Sequence, residues 1–122
     1  MIPKINFGEI WLANLNSKVG TEPGKLRPVL IIQNQVLLEI RHPSTLIVPL
    51  TTNLIDDADP LRIRIKAHKQ LIRDSDLLID QIRAIDNNRL TTGPLTVCDK
   101  YFMRKVHSAI LEVMGIQIEE FI

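Results

Sequence analysis

One cysteine stands in the 122 residues, Cys98, so no internal disulfide can form and a reducing cytoplasm is the compartment the chain fits. Aromatic residues make up 4% of it, too few for a platform on which successive bases would stack. Apolar runs are only a few residues long, far short of a bilayer span, and no cationic start with an apolar stretch and a small-residue cleavage site marks export. Neither sign of charge dominates: 15 Lys and Arg face 14 Asp and Glu, a net +1, so no global field points to nucleic acid. There is no glycine-rich phosphate loop with its lysine, no Cys-x-x-Cys, no His-x-x-x-His and no G-x-S-x-G.

These absences remove nucleotide-hydrolysing, zinc-binding and serine-hydrolase readings. His42, His68 and His107 lie too far apart for an acid–base pair and read as surface residues. Asp56, Asp57 and Asp59 precede Pro60 but lack the glycine and distal glutamate of a calcium loop, so they read as loop. Nothing nominates a base for Cys98. No metal and no cofactor are expected.

What is present is an ordinary globular composition, 45% apolar and 24% charged, without repeats or linkers. One domain over 1–122 is expected. Strands are expected at 8–15, 28–33, 45–50, 61–66 and 76–82, with a short one near 83–85, while 35–44 is ambiguous. Between the first two runs, N-S-K-V-G-T-E-P-G-K reads as an exposed loop. In the fourth run Leu61, Ile63 and Ile65 share one face and Arg62, Arg64 and Lys66 the other. The period then changes: Phe102, Val106, Ala109, Ile110 and Val113 recur at helical spacing, between a possible cap at Asp99 and a stop at Gly115. Many short strands followed by one helix indicate a mainly β (α+β) fold, a small curved sheet or barrel with a C-terminal helix packed on it.

The polar residues at strand ends carry the chemistry. Pro28 has no ladder donor and belongs at a strand's first position, which holds Arg27 extended at the sheet rim. A guanidinium there offers a permanent charge and a donor fork matched to phosphate oxygens. The residues alone favour a plainer reading, an ion pair with Glu22 or another carboxylate. Thr51 and Thr52 close an apolar strand and either cap a turn or donate a hydroxyl to an oxyanion. Residues 61–73 hold five Lys and Arg and no acid. Side chains two apart on a strand are about 6.5–7 Å apart, so Arg62, Arg64 and Lys66 either track a nucleic-acid backbone or form the wet face of a strand.

Taken in order, G-E-I-W-L-A-N-L-N at 8–16, V-G-T-E-P-G-K-L-R-P-V-L-I-I-Q-N at 19–34, V-P-L-T-T-N at 48–53 and D-Q-I-R-A-I-D-N-N-R-L at 80–90 resemble the MazF/PemK family of toxin endoribonucleases. The second block is highly specific; the third alone would be weak. The resemblance implies an SH3-like barrel acting as a homodimer, with a groove for single-stranded RNA. It implies metal-independent cleavage at a short sequence, leaving a 2′,3′-cyclic phosphate and a 5′-hydroxyl, and inhibition by an acidic antitoxin of the MazE/PemI type. Position by position, Arg27 matches the family's catalytic arginine and Thr51 its catalytic hydroxyl. Glu22, Lys25, Thr52, Gln81, Arg62 and Arg64 are the supporting, RNA-binding set. Leu26 stands where some members carry a histidine, so no histidine base can be carried over, and Ser17 replaces a frequent proline. The alternatives are a gyrase-poisoning toxin of the same barrel type, which cuts nothing, and a plain RNA-binding module, which the scarcity of aromatics disfavours.

Overall fold

The structure is a computed structural model and describes residues 4–15 and 26–117. Strands β1 (Glu9–Asn14), β2 (Leu26–Ile31), β3 (Ser44–Thr51), β4 (Arg62–Ile65), β5 (Ser75–Leu78), β6 (Arg83–Asp86) and β7 (Leu90–Val97) form an antiparallel sheet. A short helix α1 (Gln35–Glu39) follows β2, and the long helix α2 (Lys100–Val113) follows β7. The sheet order is β4-β5-β3-β2-β1-β7, and β6 also pairs with β3. The expected mainly β fold with a C-terminal helix is therefore present. Among the described residues the sheet does not close into a hydrogen-bonded ring. β4 and β7 share no ladder; the turn after β4 instead reaches β7 through Gln70 N–H, which donates to the Leu95 carbonyl at 3.1 Å.

Alternation along the central strands explains why both faces are covered. Leu30 of β2 and Val48 and Leu50 of β3 join one core cluster, with Ile10, Ile63, Leu77 and the helix residues Met103, Val106 and Ala109. The intervening Val29, Ile31 and Ile47 join a second cluster with Trp11, Ala13, Ile85 and Leu90. A strand with side chains in two cores reads as a continuous apolar run, as V-L-I-I does. Each fully buried Leu or Ile contributes about 1.5–3 kcal/mol over an exposed one. Trp11 is core, as its place in the first strand suggests, at 4% exposure.

Helix α2 starts where its cap predicts: the Asp99 side chain accepts from Phe102 N–H at 2.8 Å. Gly115, just past its end, takes φ +74°, a left-handed conformation suited to glycine. No helix among the described residues is long and apolar enough to cross a membrane.

Several boundaries differ from expectation. The ambiguous segment contains α1, capped by the Asn34 side chain on Val36 N–H. The 76–82 run splits into β5 and a 3-10 turn, Ile79–Gln81. Leu61 is half exposed rather than core-facing because β4 begins one residue later. β7 was not expected at all; it runs through Gly93-Pro94 and pairs with β1 with register shifts on either side of Leu12.

Candidate functional site

The β2–β3 ladder runs Ile31↔Ile47, Leu30↔Val48 and Val29↔Pro49. Two residues past the last pair, along each strand, stand Arg27 and Thr51. Both line one cavity of about 170 Å³, together with Leu26, Pro28, Leu50, Thr52 and Ser75. Contrary to expectation, Pro28 is not the first residue of its strand: β2 runs from Leu26 to Ile31, and Pro28 and Arg27 pair with Leu12 and Ala13 of β1 while lying past the last β2–β3 pair. Arg27 is half-buried, and among the described residues no carboxylate pairs with it. Glu22 and Lys25 lie outside the described residues.

The Thr51 hydroxyl is oriented by its own turn. Asn53 N–H donates to Thr51 Oγ1 at 3.1 Å, which occupies a lone pair and leaves the hydroxyl proton free to donate into the cavity. Thr52 is exposed at the rim. Ser75, which the sequence did not single out, is buried at 1% exposure and donates to the Arg73 carbonyl at 3.1 Å. Its oxygen keeps acceptor capacity toward the cavity. No alternation or motif marks Ser75; only the register of β5 on β3, Thr51↔Asp76, brings it in.

Arg62 and Arg64 are not at this cavity. Both point to Asp76, buried at 1% exposure in β5. Arg64 Nε donates to Asp76 Oδ1 at 2.6 Å and its Nη2 to Asp56 Oδ1 at 2.9 Å. Arg62 Nη1 donates to the Asn53 carbonyl at 2.7 Å and lies 3.4 Å from Asp76 Oδ2. Burial alone would raise the Asp76 carboxyl, but hydrogen bonds from Arg64, the Ile55 amide and Arg62 outweigh it and hold the group below the ordinary carboxylate value. The hydrogen bond to Asp76 foremost, and then that to Asp56, raises Arg64 further above its already high value. The acids 56, 57 and 59 line a separate cleft of about 420 Å³ with Arg62, Arg64 and Lys105, so cations neighbour them. Gln81 is exposed at the end of its 3-10 turn and does not line the Arg27 cavity.

The remaining candidates are quiet. His42, His68 and His107 are all exposed, as expected, with His68 Nδ1 3.0 Å from Thr96 Oγ1. Burial, aided by the neighbouring Asp99 charge, pushes the Cys98 thiol up to about 11, so little thiolate exists near neutrality.

Residues 6–114 match the family model for PemK-like, MazF-like toxins of type II toxin–antitoxin systems. The chain belongs to that family. Two curated relatives agree with the assignment. Endoribonuclease EndoA of Bacillus subtilis (strain 168) is 36% identical over 107 residues, 87% of this chain and 90% of the relative. Endoribonuclease MazF of Staphylococcus saprophyticus is 37% identical over 111 residues, 89% of this chain and 90% of that protein. Among solved structures, the fold is similar to MazE-MazF (Form-III) from Deinococcus radiodurans, TM-score 0.74 at 17% identity, covering 96% of this chain and 100% of that one. Mycobacterium tuberculosis toxin MazF-mt6 gives 0.73 at 20% identity, over 89% of this chain and 98% of that one. Within this PemK/MazF-like chain two residues of the 80–90 block tie it to neighbouring segments. Asn87 accepts from Thr45 Oγ1 at 2.6 Å and donates to the His42 carbonyl at 2.8 Å, while Arg89 donates to the Asn14 carbonyl at 3.1 Å.

Proposed function

We propose that this toxin-family chain is an endoribonuclease that cleaves single-stranded RNA, without a divalent metal, by attack of a ribose 2′-oxygen on the adjacent phosphorus. The 2′-O–P bond forms and the P–O5′ bond breaks, giving a 2′,3′-cyclic phosphate and a 5′-hydroxyl. The 2′-proton leaves to a base and the 5′-oxygen gains a proton. The observation that carries this reading is a half-buried arginine with no carboxylate partner among the described residues, sharing a cavity with a hydroxyl whose proton is free. Arg62 and Arg64, by contrast, both reach the buried Asp76 carboxylate.

In this mechanism Arg27 and Thr51 are the catalytic residues. Arg27 donates from its guanidinium fork to the non-bridging oxygens as negative charge builds on phosphorus, and Thr51 Oγ1–H donates to the same group. One preorganised donor of this kind is worth about 2.7–4 kcal/mol of transition-state stabilisation. Among the described residues the lining holds no carboxylate or imidazole; what those residues supply is charge stabilisation, and the base is left unassigned. Glu22, Lys25, Thr52 and Gln81 belong to the RNA-handling surface, with Arg62 and Arg64 as supporting residues whose donors are already partly committed. The partner that silences the site is an acidic antitoxin of the MazE/PemI type, and the working form is a homodimer of this single domain. The curated relatives carry ribonuclease names, and no observation favours a gyrase poison.

The test is cleavage of a long RNA in EDTA, with the ends mapped. Wild type is expected to leave cyclic-phosphate and 5′-hydroxyl ends, while Arg27→Ala and Thr51→Ala each lose about 10²–10³ in rate with an unchanged melting temperature. Arg27→Lys should stay close to Arg27→Ala, because an ammonium lacks the planar fork. Lysine retaining most of the activity would refute the fork role, and gyrase inhibition without RNA cleavage would refute the enzyme.

A further inference from the structure

The two β4 arginines and the carboxylate they share form a connected set that ends at Thr51. Asp76 occupies the ladder position directly across from Thr51. Its Oδ2 accepts from Ile55 N–H at 2.9 Å and faces Arg62 Nη1 at 3.4 Å; its Oδ1 accepts from Arg64 Nε at 2.6 Å. Arg62 Nη1 also donates to the Asn53 carbonyl at 2.7 Å, and Arg64 Nη2 to Asp56 at 2.9 Å. The segment leaving β3 is thus held at three successive points: the Asn53 carbonyl, the Ile55 amide and the Asp56 side chain. Asn53 N–H is in turn the donor that fixes Thr51 Oγ1. Exposed loop segments do not ordinarily engage a nearly fully buried carboxylate, and this one fastens to it beside the cavity.

We propose that Arg62, anchored by the buried Asp76 carboxylate, is a positioning residue for the Thr51 hydroxyl, acting through Asn53. The inference rests on the catalytic reading of Thr51 given above. Arg62 grips the Asn53 carbonyl, in the 53–54 peptide, which is joined through the Asn53 Cα to the 52–53 peptide whose N–H orients Thr51 Oγ1. Loss of that grip frees the Asn53 backbone torsions and lets the hydroxyl leave its donating rotamer. The competing role for a strand arginine in a ribonuclease is direct contact with an RNA phosphate. In the present geometry Arg62 spends a guanidinium nitrogen on the Asn53 carbonyl.

A double-mutant cycle separates the two roles. Single-turnover cleavage of a single-stranded RNA is measured for wild type, Thr51→Ala, Arg62→Gln and the double variant. Arg62→Gln is expected to slow cleavage about ten- to a hundredfold, the scale on which an ångström of misplacement acts, and Arg62→Lys, which can still reach a carbonyl, to recover most of it. On the Thr51→Ala background Arg62→Gln should cost nothing further, since residues acting as one unit are non-additive. The salt dependence of RNA binding should also be unchanged. Full additivity, wild-type rates in Arg62→Gln, or a binding slope shallower by about 0.7, the signature of one lost phosphate contact on a single strand, would each overturn the proposal. If the glutamine variant melts, Arg62→Met, which keeps the apolar stem, replaces it in the cycle. Wild type that cuts nothing, or Thr51→Ala at full rate, would bring down the catalytic reading and the positioning role with it. Additive losses at two active positions would remove only the positioning role.

Discussion

Single residues decide more here than their types suggest. Gly93 lies flat on Trp11: a Cβ added there would stand 2.3 Å from the indole Cδ2. The β1–β7 register shifts between Ile10 and Leu12, so Trp11 falls where the ladder slips. Its Nε1 is fixed by the Glu9 carboxylate at 3.0 Å, so the ring has little room to turn away. Gly93→Ala is therefore expected to destabilise by about 1–3 kcal/mol, the usual scale for overpacking. A thermal melt and a red shift of the single tryptophan's emission would register it; an unchanged melt would mean that β7 yields instead. This contact was illegible in the sequence, where Gly-Pro signals a turn. Arg27 was legible, because the following proline constrains the arginine's own backbone. Ser75 was not, because its place at the cavity depends on a strand that pairs from a distance.

At the level of elements, the alternation in β4 identified its wet face but not what that face meets. Arg62 and Arg64 looked like free cations because their carboxylate, Asp76, sits in the next strand, and nothing in the residues alone pairs the two strands. Pairing β4 with β5 in the register Arg64↔Asp76 is what joins them. The network has a sign in pH. Asp76 is held below its ordinary value, so the stability it contributes is complete above the unfolded pKa, about 3.9, and is lost as pH falls through the lower folded value. Asp76→Asn should lower stability at pH 7 and flatten the acid limb of a denaturation series taken from pH 7 to pH 2. If the acid limb of the variant matched that of wild type, another carboxylate would be responsible. Helix α2 was the most readable element, since its cap and its apolar stripe are both local. β7 was the least, since its strand character comes from β1 and not from its own Thr-Thr-Gly-Pro.

For the molecule as a whole, the residues alone gave many short strands and one helix; the resemblance supplied the architecture, and only coordinates supplied the order. In that order β1 lies between β2 and β7, and Ile10 of β1 packs in the cluster that α2 completes. A chain ending at residue 89 lacks both β7 and α2. It is expected to show no cooperative melt and no cleavage of RNA, although it contains Arg27 and Thr51, and a folded, active truncation would contradict this account. The placement of β1 also bears on the cell that makes such a protein. Its strand-end arginine and hydroxyl, at 27 and 51, are translated well before β7, so the sheet that holds them stays unfinished until the ribosome has delivered residue 97.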